Sequence, residues 1–194
     1  MPTFRVTAPA PLPLHATDAV VTVPVAAGAG AGGGLPPGLT RLKLIVETPA
    51  PTHPLTCLLD PAAPRLRHLE VDAPHAVDLG VLAPRGAPRL ASAWFRTADP
   101  AAGARVVGGG APALTKLALV GEAPLDLARL ARELGACPRL GRLYVDAPMI
   151  VTAAPTAVAA ALRAALPRGR VIVRRTEAVS EAAAAALALF GEAG

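Results

Sequence analysis

Aromatic side chains are scarce in this chain, with three Phe, one Tyr and one Trp among 194 residues. A single large aromatic centre is thereby excluded. Since 53% of the residues are hydrophobic, the core must be assembled from Leu, Val and Ala, which suits thin layers stacked in series. Cysteine is nearly absent too. Cys57 and Cys137 lie far apart, without a C-x-x-C or a nearby His pair, which argues against a zinc site and a disulfide scaffold and for a reducing compartment. Both read as buried thiols. The only lysines are Lys43 and Lys116, so Arg carries almost all the basic charge behind the formal net +5. With abundant Ala, Gly and Pro, this skew resembles the product of a G+C-rich genome, yet an Arg-rich surface attracts anions whatever its origin.

Uninterrupted apolar runs are missing as well. Only Arg5 is positive near the N-terminus and prolines 9, 11 and 13 break any apolar segment there, so no signal peptide is expected. The longest uncharged stretch, Ala19 to Thr40, contains GAGAGGG and PP and would make a poor spanning helix. The expected place is inside the cell, cytoplasmic or nuclear, and not in a membrane.

The residues of catalysis are thinly spread. His15, His53, His68 and His75 are scattered, and Ser92 and Ser180, the only serines, sit in no G-x-S-x-G elbow. His68 and Asp72 share one strand but stand four positions apart, too far for contact in an extended chain. The glycine runs at 28–34 and 108–110 lack a following G-K-[ST], so they read as flexible loops rather than phosphate cradles. No enzyme activity, metal or cofactor is expected.

What the chain does have is repetition. Residues 64–74 read PRLRHLEVDAP and residues 138–148 read PRLGRLYVDAP. Aligned phrases begin at Leu39, Leu66, Leu90, Leu114 and Leu140, with spacings of 27, 24, 24 and 26. A degenerate copy starts at Arg168, and MPTFRVTAP has the same shape through Phe4 and Val6. This is the period of a solenoid unit. The segments between repeat too: 73–83 can be laid over 123–133, where Leu127, Leu130 and Leu134 have helical spacing, with Gly135 to stop the helix and Pro138 to prevent its restart. A further helical run ends at Pro167, and a last one has Ser180 as its N-cap.

These phrases resemble the leucine-rich repeat family, whose unit is L-x-x-L-x-L followed by x-x-N or C. The resemblance spans Leu39 to Arg174. It departs where the family places Asn or Cys, since this chain has Pro74, Glu122 and Pro148 there; a Pro, having no N–H to satisfy, would partly replace the missing Asn ladder. The stretch ACPRLGRLYV is similar to the irregular repeats attached to F-box proteins of plants and algae, without an F-box in this chain. The resemblance implies an α/β solenoid with a short curved parallel sheet and helices and loops on its convex side. Residues 1–38 would hold irregular strands and a Gly-rich loop, 39–178 the repeats, and 179–194 a capping helix.

It further implies that the first, fourth and sixth positions of each phrase point inward. The fifth column then gathers Lys43, Glu70, Trp94, Ala118, Tyr144 and Ile172, and the third Arg41, His68, Ser92, Lys116, Arg142 and Arg170. An aromatic anchor beside a basic stripe suits a partner protein or acidic peptide on the concave face, with Trp94, Tyr144, Arg41, His68, Lys116, Arg142, Glu70 and Arg96 as binding residues. Nucleic acid is not the expected partner, because aromatics interleaved with basic residues are nearly absent. The alternatives are a substrate-receptor part of a ubiquitin ligase, or an enzyme with an unrecognised site in a pocket joining His68, Asp72 and Cys57. The chain would serve as part of a longer polypeptide or complex.

Overall fold

A computed structural model describes residues 4–7, 16–23, 36, 38–46, 65–73, 88–108 and 111–191. The glycine run at 28–34, His15, His53, Cys57, Pro74 and His75 lie outside the described residues, as does nearly all of the 73–83 segment.

The strands are β1 (Phe4–Thr7), β2 (Asp18–Val23), β3 (Arg41–Val46), β4 (His68–Ala73), β5 (Ser92–Thr97), β6 (Lys116–Val120), β7 (Leu125–Asp126), β8 (Arg142–Asp146), β9 (Met149–Ile150) and β10 (Arg170–Val173). The helices are α1 (Pro100–Gly108), α2 (Leu127–Leu134), α3 (Pro155–Ala165) and α4 (Glu181–Gly191). Eight strands form one sheet in the order β1-β2-β3-β4-β5-β6-β8-β10, and every neighbouring pair is parallel. The fold is therefore α/β. Each new strand of this sheet lies beside the one before it, so the aligned phrases become neighbours in space.

The register follows the alignment residue for residue. Leu42, Leu69, Ala93, Leu117, Leu143 and Val171 are successive partners across the sheet, as are Leu44, Val71, Phe95, Leu119, Val145 and Val173. From β3 to β8 these positions are buried. Alternation of aliphatic and polar residues puts one face of each strand in the core. Each fully buried Leu or Val contributes about 1.5–3 kcal/mol, but only when a neighbouring layer excludes water from it.

The sheet also begins earlier than expected. β2 pairs with β3 and β1 with β2 in the same parallel arrangement, so the strands before residue 38 are regular rather than irregular. In β2 the inward places are taken by Ala19 and Val21, preceded by buried Ala16. Alanine there conceals the leucine signature.

Before β3, β6, β8 and β10 the chain makes a tight turn. The N–H of Leu39, Leu114, Leu140 and Gly169 donates to the carbonyl three residues back, on Pro36, Ala111, Cys137 and Leu166, at 3.0, 3.0, 3.0 and 3.1 Å. The four sequences are PPGL, APAL, CPRL and LPRG, and APRL recurs at 63–66 and 87–90. Proline always holds the second place, where its fixed φ suits the turn. The turn's first residue is buried in all four described cases. From there the main chain climbs into a repeating bond: the carbonyls of Thr17, Thr40, Arg67, Ala91 and Thr115 each accept two N–H groups from the next layer at 2.8–3.3 Å.

At the other end of the strands no Asn ladder exists, and the chain contains neither Asn nor Gln. Main chain replaces it. Gly121 N–H donates to Asp146 O at 3.0 Å, Ala123 N–H to Ala98 O at 3.1 Å, and Leu125 N–H to Pro148 O at 2.8 Å. A second parallel ladder, β7 with β9, continues through Met149 to Val179. Pro148 thus serves as an acceptor, a role additional to its missing N–H.

The helices lie side by side on the buried face, α1 against α2, α2 against α3 and α3 against α4. Asp99 caps α1 by accepting Ala101 N–H at 2.9 Å, Asp126 caps α2 through Ala128 N–H at 2.9 Å, and Ser180 Oγ accepts Ala183 N–H at 3.3 Å at α4. Gly135 is the C-cap of α2 but is right-handed, with φ −56°; the turn at Cys137–Leu140 is what redirects the chain. Helix α4 adds a layer beside α3 and does not seal the stack. Val171 and Val173 of β10 remain only partly buried.

Candidate partner-binding face

The eight residues expected to bind a partner all sit on the main sheet, on the side away from the helices. Trp94, Ala118 and Tyr144 are successive partners on β5, β6 and β8, so the two aromatics stand about 10 Å apart across one intervening strand. Both are half-buried. The third column, Arg41, His68, Ser92, Lys116, Arg142 and Arg170, is likewise continuous. A groove of about 580 Å³ runs over this face, touching Arg41, Lys43, His68, Glu70, Trp94 and Tyr144 among others.

The charges fall into two groups. On the β2–β5 side they are partnered: Lys43 Nζ lies 2.5 Å from Glu70 Oε1, Arg41 Nε 3.9 Å from Asp18, and Arg96 3.8 Å from Asp72. Glu70 thus serves Lys43, and Arg96 serves Asp72. On the β6–β10 side, Lys116, Arg142 and Arg170 are exposed and, among the described residues, pair with no carboxylate. The basic stripe is therefore free only over its second half. Such exposed pairs add little stability, about 0–1 kcal/mol each.

His68 Nδ1 lies 2.6 Å from Ser92 Oγ. Burial lowers its pKa below the ordinary value, and the charges of Arg41, Arg67 and Lys116 lower it further against the opposing effect of Asp18. Both effects favour the neutral ring over the imidazolium. Among the described residues no third member joins this pair: Asp72 is four residues along the same strand and engages Arg96, and Cys57 lies outside them. Cys137 is buried, donates to Val107 O at 3.6 Å, and burial pushes its thiol up to about 11, which makes it unreactive.

Beyond the aromatics, the strand ends carry a second cluster. Arg175 donates to both oxygens of Glu122 at 3.1 Å, which holds the Glu122 carboxyl below the usual range. Its Nε stands 2.8 Å from Asp146 Oδ1, off the line of a hydrogen bond, and Arg174 lies 3.6 Å from Asp146 Oδ2. A cavity of about 560 Å³ joins this cluster to Trp94 and Tyr144.

Several residues of this face were not singled out by the sequence. Arg65, Arg67, Arg89, Arg139 and Arg168 are exposed at the turns that lead into the strands. The recurring P-R-L and P-R-G of those turns carried the signal. Among the described residues no group of three His, Cys, Asp or Glu could hold a metal ion, and no helix is long and apolar enough to cross a membrane. No protein-family model, no curated protein and no solved structure matches this chain.

Proposed function

We propose that the chain is a solenoid of the leucine-rich repeat type, and that it acts by recognising another protein, or an acidic peptide of one, on the sheet face opposite its helices. One observation carries this reading. Trp94 and Tyr144, the only Trp and Tyr in the chain, stand in one column of a parallel sheet, beside the cations Lys116 and Arg142, which pair with no carboxylate among the described residues. Large aromatics with partial exposure favour interface anchoring. Unpaired cations next to them favour acidic partners and faster encounter. A substrate-receptor role in ubiquitin ligation would use the same face.

The enzyme reading draws on the His68–Ser92 contact. Against it stand the absence of a group orienting the ring among the described residues and the engagement of the His68 and Ser92 amides by the carbonyls of Thr40 and Arg67, which leaves neither amide to an oxyanion.

The test replaces Trp94 and Tyr144 by Ala together. Binding to immobilised acidic peptides should fall while the thermal midpoint stays within a few degrees of the parent. Equal loss of folding would make both rings core residues and refute the anchor assignment.

A further inference from the structure

The exposed face narrows to a slot along β6, and its chemistry specifies the ligand. Ala118 is the smallest residue in its column, flanked by Trp94 and Tyr144. Two residues on, Val120 continues the same outward row at a spacing of about 6.6–6.8 Å. The result is an apolar floor in which Ala118 lies between the two aromatic rings and Val120 between Arg96 and Asp146. The two cavities described above share those rings: one extends past Ala118 to Lys116, the other past Val120 to Gly121 and Arg96.

Charge distinguishes the ends of the slot. At the Val120 end, Arg96, Arg174 and Arg175 are engaged by Asp72, Asp146 and Glu122. At the Lys116 end, Lys116, Arg142 and Arg170 have no carboxylate among the described residues. Beyond them the turn residues Arg89, Arg139 and Arg168 are exposed along the same edge, and only Asp18, toward the opposite side of the sheet, brings a negative charge to that column. Free positive charge is therefore confined to one end.

We infer that this slot binds an extended acidic peptide of a partner protein, with one bulky apolar side chain seated over Ala118 between Trp94 and Tyr144, and successive carboxylates running out over Lys116, Arg142 and the turn arginines. The inference deepens the recognition reading above and rests on it. Charge complementarity selects the occupant. Alternate side chains of an extended peptide repeat at about 6.6–6.8 Å, the spacing of Ala118 and Lys116 along their own strand. A nucleic acid fits less well, because Ala118 and Val120 offer no side-chain donor or acceptor to a base edge and only one pair of rings is present for stacking.

The experiment displays random twelve-residue peptides to four proteins: the parent, Ala118→Leu, Trp94→Ala/Tyr144→Ala, and Lys116→Glu/Arg142→Glu, each variant first shown to melt like the parent. The parent should enrich peptides with a bulky apolar residue flanked on one side by Asp or Glu. Ala118→Leu, which fills the slot and leaves every charge in place, should bind the selected peptides at least about tenfold more weakly, a loss of about 1.4 kcal/mol. The charge-reversed protein should lose them and show no acidic preference. Unchanged binding by Ala118→Leu, while Trp94→Ala/Tyr144→Ala loses the peptides, would overturn the slot and leave the recognition face standing. Enrichment without acidic bias would overturn the assigned chemistry. Failure to enrich any peptide would overturn the inference, and poly(U) RNA bound through Lys116 and Arg142 would replace it with a nucleic-acid surface.

Discussion

A methyl group added at Gly103 would meet the Phe95 ring at 2.7 Å. Phe95 occupies an inward place that its neighbours Val71 and Leu119 fill with aliphatic side chains, and the glycine on α1 is what makes room for the larger ring. Gly103→Ala should therefore destabilise the protein, by about 1–3 kcal/mol for overpacking, although alanine favours a helix by about 1 kcal/mol. Denaturant unfolding of Gly103→Ala, Phe95→Leu and the double variant would check this: the double variant should recover most of the loss. Leu69→Ala should cost about 2–5 kcal/mol through cavity formation in the same assay, whereas an unchanged midpoint would contradict its inward position. His68 adds a pH dependence. Because burial and the neighbouring cations hold its folded pKa below the ordinary histidine value, the unfolded chain takes up the proton first. Stability from this group is complete above about pH 6.5 and falls as the pH drops through the folded pKa. A histidine NMR titration should place His68 below 6.5, and His68→Gln should remove that part of the acid loss.

At the scale of elements, the strands were legible because Leu at the first place of each phrase, with mostly Leu or Val at the fourth and sixth, reports directly on burial. Where small residues did the same work the signal failed, as with Ala16 and Ala19 of β2. Helix α1 escaped notice for a related reason, its Ala and Gly residues giving no leucine stripe, although Asp99 followed by Pro100 marks a helix start. The proline turns were present in the sequence six times, but a turn motif becomes informative only when its fourth residue is known to open a strand. Pro112→Ala and Pro138→Ala should each lower stability by about 0.4–1 kcal/mol, largely by freeing the unfolded chain, with no change in the strand register seen by NMR. The free and engaged halves of the basic stripe could not be told apart in the sequence, since Asp72 pairs with Arg96 and Lys43 with Glu70 only across strands.

At the scale of the whole molecule, the proposed solenoid would distribute its stability layer by layer. Each strand and helix buries its apolar side mainly against its sequence neighbours, as expected of a one-dimensional stack. The C-terminal end differs in kind from the middle: β10 has one paired edge among the described residues, its inward Val171 and Val173 are partly exposed, and α4 buries only Ala183 and Ala186 fully. Hydrogen exchange should rank the amides of β5, β6 and β8 as slowest and those of β10 and α4 as faster, because an end layer opens without unfolding its neighbours. Uniform protection would argue for a single cooperative block. The central claim, that the repeated phrases lie side by side in one in-register sheet, is tested most directly by the distance between Arg41 and Arg170, five strand steps apart in the third column. With spin labels at Arg41→Cys and Arg170→Cys in a Cys57→Ala background, pulsed electron resonance should give one distribution centred near about 24 Å, five spacings of about 4.8 Å. A distribution centred well beyond about 35 Å, more than seven such spacings, would contradict the stack and remove the binding face with it.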